Sequence, residues 1–134
     1  MTDSKFHFVI PSDLAGMRTV QSDIMSRVTA HGFDADASHA IRLALEETLI
    51  NAIKHGNKLN PKKRVTVDGV VTDKQVEITI QDEGAGFIRA DVPDPLHEDN
   101  LEKPSGRGLL LIESYMTEVA YSDGGRRVKM IRRK

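Results

Sequence analysis

The run LALEETLINAIKHGN, residues 43–57, is apolar almost all the way round, yet polar groups interrupt it at four-residue intervals: Glu47, Asn51 and His55. Successive residues of an α-helix turn by about 100°, so these three form one stripe, with Leu43 and Ile50 on a flank. Ile41, Leu45, Leu49, Ala52 and Ile53 make the main apolar face, and Glu46 points elsewhere. A carboxylate and an amide set between apolar surfaces cost roughly 1–3 kcal/mol or more each if left unpaired. Either they find protein partners, or they line a cavity that takes water, metal or ligand. The plainer alternative is the solvent face of an amphipathic helix.

Two glycine motifs follow. DEGAG, from Asp82 to Gly86, comes directly after a strand-like stretch ending at Ile80. An acid at a strand end can accept from a ligand edge such as an exocyclic amine. Gly84 and Gly86, without side chains, would let a flat ring approach the backbone; an ordinary turn is the competing reading. PSGRGLLLI, Pro104 to Ile112, carries a glycine pair into an apolar helix start. Free N–H groups there form an anion site, with Arg107 beside it; a flexible hinge capping the helix is the alternative. The chain has no Walker A loop, and the spacing is not that of a Rossmann fingerprint.

The elements that must position these groups are legible from periodicity. Lys5–Ile10 reads as a strand ended by Pro11-Ser12, and Ser12 or Asp13 as the cap of a helix carrying Leu14, Met17, Val20, Ile24 and Val28 and closed by His31-Gly32. A second helix is expected from near Asp36 or Ser38 to His55, with Gly56 as a left-handed terminator. Period two then appears at Val65, Val67 and Val71 and again at Val76, Ile78 and Ile80, a hairpin turning at Asp73-Lys74. Residues 82–105 hold Pro93, Pro95 and Pro104 with mixed charges. That stretch is too long for an ordinary connection and predicts a functional loop or lid. Leu109–Met116 is a third helix; Thr117–Tyr121 and Arg126–Ile131 form a last hairpin. The order implies an α+β two-layer sandwich, helices on one face of a mixed, mostly antiparallel sheet.

The 134 residues allow one domain, with net charge −1, no cysteine and little aromatic content. Disulfides and thiolate metal sites are excluded, and nothing in the overall charge favours nucleic acid or membrane. No signal-peptide core or bilayer-length apolar run is present, so a cytoplasmic protein is expected. The basic tail RRVKMIRRK is read as edge-strand protection, with a nucleic-acid patch as the lesser alternative.

Taken together, EETLINAIKHGN, DEGAGF and PSGRGLLLIESYM resemble the GHKL ATPase superfamily, which includes DNA gyrase, histidine kinases and MutL. The short form looks most like the bacterial anti-sigma factor serine/threonine-protein kinases, over almost the whole chain. This resemblance implies the Bergerat (histidine kinase-like ATPase) fold over residues 1–134, an ATP lid at 87–105, and the cofactors ATP and Mg²⁺. It implies Glu47 as the general base and Asn51 as the Mg²⁺ ligand. Asp82 would bind the adenine amino group with Gly84 and Gly86 beneath the base, and Gly106, Arg107 and Gly108 would cradle the phosphates. His55, or the competing Lys54, would approach a phosphate or the lid. The implied partners are a sigma factor, a STAS-type anti-anti-sigma protein phosphorylated on serine or threonine, and a second copy in a homodimer. One departure stands out: many relatives carry Thr after a Gly in the penultimate turn, whereas here Gly125 precedes Arg126. A histidine kinase is disfavoured because none of His7, His31, His39, His55 and His97 stands in a phosphoacceptor helix pair. A nucleotide-gated binding module without phosphoryl transfer is the alternative function.

Overall fold

Asp13 begins the helical layer. Its carboxylate accepts the Gly16 N–H at 2.7 Å, satisfying one of the donors that the first helical turn leaves free. The computed structural model describes residues 2–87 and 106–134, without the side chains of residues 106 and 107. Strand β1 (Ser4–Pro11) leads into helices α1 (Leu14–Ala30) and α2 (Ala35–Ile50), and α2 runs on as a wider π turn, Asn51–Gly56. The hairpin β2 (Arg64–Val71) and β3 (Gln75–Gln81) comes next, then helix α3 (Gly106–Tyr115) and the hairpin β4 (Glu118–Ser122) and β5 (Arg127–Arg133). The expected lid, apart from Phe87, lies outside the described residues.

The strands form one sheet in the order β1-β2-β3-β5-β4. Every pairing is antiparallel, with Val67 opposite Ile80, Ile80 opposite Val128 and Tyr121 opposite Val128. Alternation decides which face is covered. Val65, Val67, Val71, Val76, Ile78, Ile80 and Met130 are buried in one core with Ile24, Ile41, Leu45, Leu49, Ile53, Leu109 and Ile112 from the helices. The opposite face carries Thr66, Asp68, Thr79, Gln81, Arg127 and Lys129. The two-layer α+β architecture is as the periodicity implies.

Two local expectations are corrected. Helix α2 begins earlier than Asp36 or Ser38: Asp34 caps it, accepting the Ala37 N–H at 2.7 Å, because Phe33 is already anchored in the core. Gly56 is not the left-handed terminator. The Asn57 N–H reaches the Ala52 carbonyl and the Leu59 N–H the Ile53 carbonyl, so the helix widens before it stops. The reversal falls on Lys58 and Leu59, with φ of 53° and 58°.

Candidate functional site

The stripe on α2, the end of β3, α3 and the start of β5 enclose one cleft. Thr48, Asn51 and His55 line it from α2 and its π turn, Asp82, Gly86 and Phe87 from the segment after β3, Leu109 and Ile112 from α3, and Arg126 from β5's leading turn. The cleft is narrow, with a volume of about 490 Å³ that is partly open to solvent. The slot suits a flat group between apolar walls.

Asp82, which lines the cleft, is 8% exposed. One carboxylate oxygen accepts the Gly84 N–H at 2.8 Å, and its own N–H donates to the Arg126 carbonyl at 2.9 Å. Burial pushes the carboxyl above the ordinary Asp range; the Gly84 N–H and the positive charges of Arg126 and Lys63 oppose that. Gly56 lets Asp82 sit there, since a Cβ on Gly56 would stand 2.5 Å from the carboxyl carbon. Gly84 lies behind the acid, with the place of its missing Cβ 2.0 Å from the Gly56 carbonyl oxygen. It does not line the cleft, so its small size serves close packing of two chain segments. Gly86, with φ of 81°, lines the cleft and abuts the Gly124 carbonyl.

Asn51 lines the same cleft from the helical side. Its backbone N–H is shared between the Glu47 and Thr48 carbonyls, while its side-chain Nδ2 is buried with no hydrogen-bond partner among the described residues. An unpaired buried amide is costly, and a bound group that accepts from it removes the cost. Glu47 is half-buried one helical turn earlier and is not among the residues lining the cleft. Gly106, Arg107 and Gly108 open α3, next to the Leu109 wall.

Thus Asn51, His55, Asp82 and Gly86 converge on one cleft, Gly84 supports it from behind, and Glu47 stands outside its lining. The motif reading passed over Thr48, Phe87 and the supporting residue Asn57. Thr48 was detectable as the hydroxyl inside an apolar run; it donates to the Ala44 carbonyl at 2.8 Å. Asn57 is 1% exposed. Its Nδ2 donates to the Ser12 Oγ and the Arg64 carbonyl, each at 3.0 Å, and its Oδ1 accepts the Glu83 N–H at 2.8 Å. Those partners are remote in sequence, so no local signal marked it.

The sequence pattern described as the histidine kinase-like ATPase domain matches residues 10–132. The chain belongs to that family. Within it the chain falls with the anti-sigma factors. An anti-sigma F factor of Bacillus cytotoxicus is 32% identical over 107 residues, covering 74% of this chain and 73% of the relative. An anti-sigma F factor of Oceanobacillus iheyensis is 36% identical over 81 residues, 59% of this chain and 56% of that protein. The chain therefore spans just over half of the latter relative and nearly three quarters of the former. Among solved structures, the RsbU and RsbW domains of Rv1364c from Mycobacterium tuberculosis match with a TM-score of 0.68 and 17% identity, over 97% of this chain and 32% of that one. That likeness concerns the fold. In the histidine kinase-like ATPase frame, the cleft between α2, α3 and the sheet is this chain's candidate nucleotide site.

Proposed function

We propose that the protein is an ATP-dependent anti-sigma factor that holds a sigma factor and phosphorylates a STAS-type anti-anti-sigma partner on serine or threonine. The observation that carries the nucleotide reading is a pair of incomplete polar groups, Asn51 and Asp82, lining one narrow cleft. Among the described residues, Asn51 has a buried amide nitrogen without a partner, and the buried Asp82 carboxylate is held by the Gly84 N–H. A purine amine suits the acid, and a phosphate oxygen suits the amide nitrogen. The names of the curated relatives, anti-sigma F factor, support the regulatory half of the proposal.

Among the described residues no three His, Cys, Asp or Glu side chains cluster as a metal site. Magnesium would be held by Asn51 together with phosphate oxygens, which its preference for few protein ligands allows. When bound, Mg·ATP supplies the phosphoryl group. Asp82 would fix the base, His55 and the start of α3 (Gly106, Arg107, Gly108) would hold phosphate, and Glu47 would orient the attacking hydroxyl. Among the described residues no helix is long and apolar enough to cross a membrane, and we place the protein in the cytoplasm, acting as a homodimer.

Glu47's position outside the cleft lining favours a second reading, a nucleotide-gated binding module without transfer. Calorimetry with Mg·ATP on the wild type and Asn51→Ala, followed by incubation with labelled ATP and a STAS partner, separates the two. Binding lost in Asn51→Ala, with label on the partner that disappears in Glu47→Ala, establishes the kinase. Tight binding with no label establishes the module, and no binding by folded wild type removes both.

A further inference from the structure

Arg126 stands where the family resemblance leads to an expectation of threonine, and its guanidinium does more than a turn requires. Its Nε donates to the Gly84 carbonyl at 2.8 Å, its Nη1 donates to the Asp123 carbonyl at 3.0 Å, and its own carbonyl accepts the Asp82 N–H at 2.9 Å. We infer that Arg126 is a positioning residue for the cleft: it pins the Gly84 peptide to the Asp123–Gly125 turn and thereby fixes the loop that presents Asp82. The inference rests on the nucleotide reading above.

The plain alternative is a surface arginine paired with Asp123. That ion pair is 3.8 Å long and its side chains are 37% and 52% exposed, so it contributes little. The Gly84 bond is different. It is partly buried and joins residues 42 positions apart. Gly84 is held from the other side by the Gly56 carbonyl, which would lie 2.0 Å from a Cβ there. Its N–H, on the neighbouring peptide plane across the Gly84 Cα, is the donor that holds the Asp82 carboxylate, so a displacement of Gly84 moves that donor away from the acid. Around this strut the two segments interlock. The Phe87 N–H donates to the Gly124 carbonyl at 2.9 Å, and Cβ atoms on Gly86 or Gly125 would lie 2.1 Å from the Gly124 and Phe87 carbonyl oxygens. A lysine cannot reproduce the contact, since only a guanidinium presents Nε–H and Nη–H in one rigid plane.

The same side chain brings positive charge to Asp82. The other charged groups acting on Asp82 are Lys63, before β2, and Asp123, in the β4–β5 turn; His55 lines the same cleft from the π turn. Arg126 is bonded to the acid's own loop through the Gly84 carbonyl. Its removal therefore loosens the loop and raises the Asp82 pKa together, whereas loss of a merely structural bond would leave the titration alone.

The test uses the full chain as wild type, Arg126→Met and Arg126→Lys. The Asp82 carboxyl is titrated in ligand-free protein by carbon-detected NMR, and the Kd for Mg·ATP is measured from pH 5 to 8. Ligand ionisation is common to all three, so the ratios to wild type carry the answer. Arg126→Met is expected to raise the Asp82 pKa, to move the acid limb of binding to higher pH, and to weaken binding about tenfold at neutral pH, the scale of one charge-assisted hydrogen bond. Arg126→Lys is expected to keep the acid limb near its wild-type place while weakening binding, and it carries the test if Arg126→Met does not fold. Binding within twofold of wild type in either folded variant would overturn the inference, as would weakened binding in Arg126→Met with its Asp82 titration and its acid limb both unmoved. Should wild type bind no ATP, the functional reading fails, and the ligand-free titration still decides whether Arg126 governs Asp82.

Discussion

Asp82 sits where its charge is unfavourable. Its pKa lies above the ordinary 3.8 because burial penalises the carboxylate. A raised folded-state pKa means that the group favours folding below the unfolded value and that this contribution is lost as pH rises through the folded value. At neutral pH the ionised acid is a net cost to the apo fold, a pattern expected at a binding site. Asp82→Asn keeps an oxygen for the Gly84 N–H and removes the charge. Its unfolding midpoint should equal or exceed that of wild type at pH 7, and the difference should shrink on acidification toward pH 4. Its Mg·ATP affinity should fall by about tenfold or more, the worth of a charged acceptor. Denaturant melts at both pH values and one calorimetric titration check the pair of effects, and a destabilised Asn variant that still binds ATP would contradict the assignment. Gly56→Ala tests the same acid from the other side. A Cβ would stand 2.5 Å from the carboxyl carbon and 2.8 Å from the oxygen that holds Gly84. A loss of about 1–3 kcal/mol in stability, with weakened nucleotide binding, is expected in equilibrium unfolding and titration.

At the level of elements, the helix that carries the stripe owes its last turn to contacts far along the chain. Asn57 is hydrogen-bonded to the end of β1 through Ser12, to the start of β2 through Arg64 and to the Asp82–Gly86 loop through Glu83. Asn57→Ala would strand the Glu83 N–H and the Arg64 carbonyl, so about 2–4 kcal/mol of unfolding free energy should be lost; a loss under about 0.5 kcal/mol would mean that water replaces the amide. Remote partners are also why this level was only partly legible. The alternation in β2, β3 and β5 and the apolar face of α2 are local patterns, and the strands and the helix follow from them. Within residues 51–56, a π turn and an α turn place apolar residues too similarly to be told apart from so few positions, so the widening at Asn51 left no mark. The stripe of Glu47, Asn51 and His55 was read correctly as a line on one helix. The cleft takes Thr48 rather than Glu47 from its first turn, a change of about 100° that the packing of α3 decides. Gly84 and Gly86 were visible as requirements for space, but only the fold reveals that Gly56 and Gly124 occupy it.

For the molecule as a whole, the cleft is lined by parts of the chain that are far apart in sequence: α2 with its π turn, the segment after β3, α3 and the β4–β5 turn. A ligand that bridges Asn51 and Asp82 should therefore stabilise the whole cooperative unit. Binding to the folded state alone adds RT ln(1 + [L]/Kd), about 2.7 kcal/mol at a hundredfold excess over Kd. For a chain of 134 residues that corresponds to a rise in Tm on the order of 10 °C. Asn51→Ala removes the buried amide that lacks a partner among the described residues, so its apo Tm should hold or rise while the ATP-dependent shift disappears. Thermal melts with and without Mg·ATP give both quantities from one preparation. Equal shifts in the wild type and Asn51→Ala would place the nucleotide elsewhere. A shift in neither, at millimolar Mg·ATP, would leave Asn51 and Asp82 serving some other ligand.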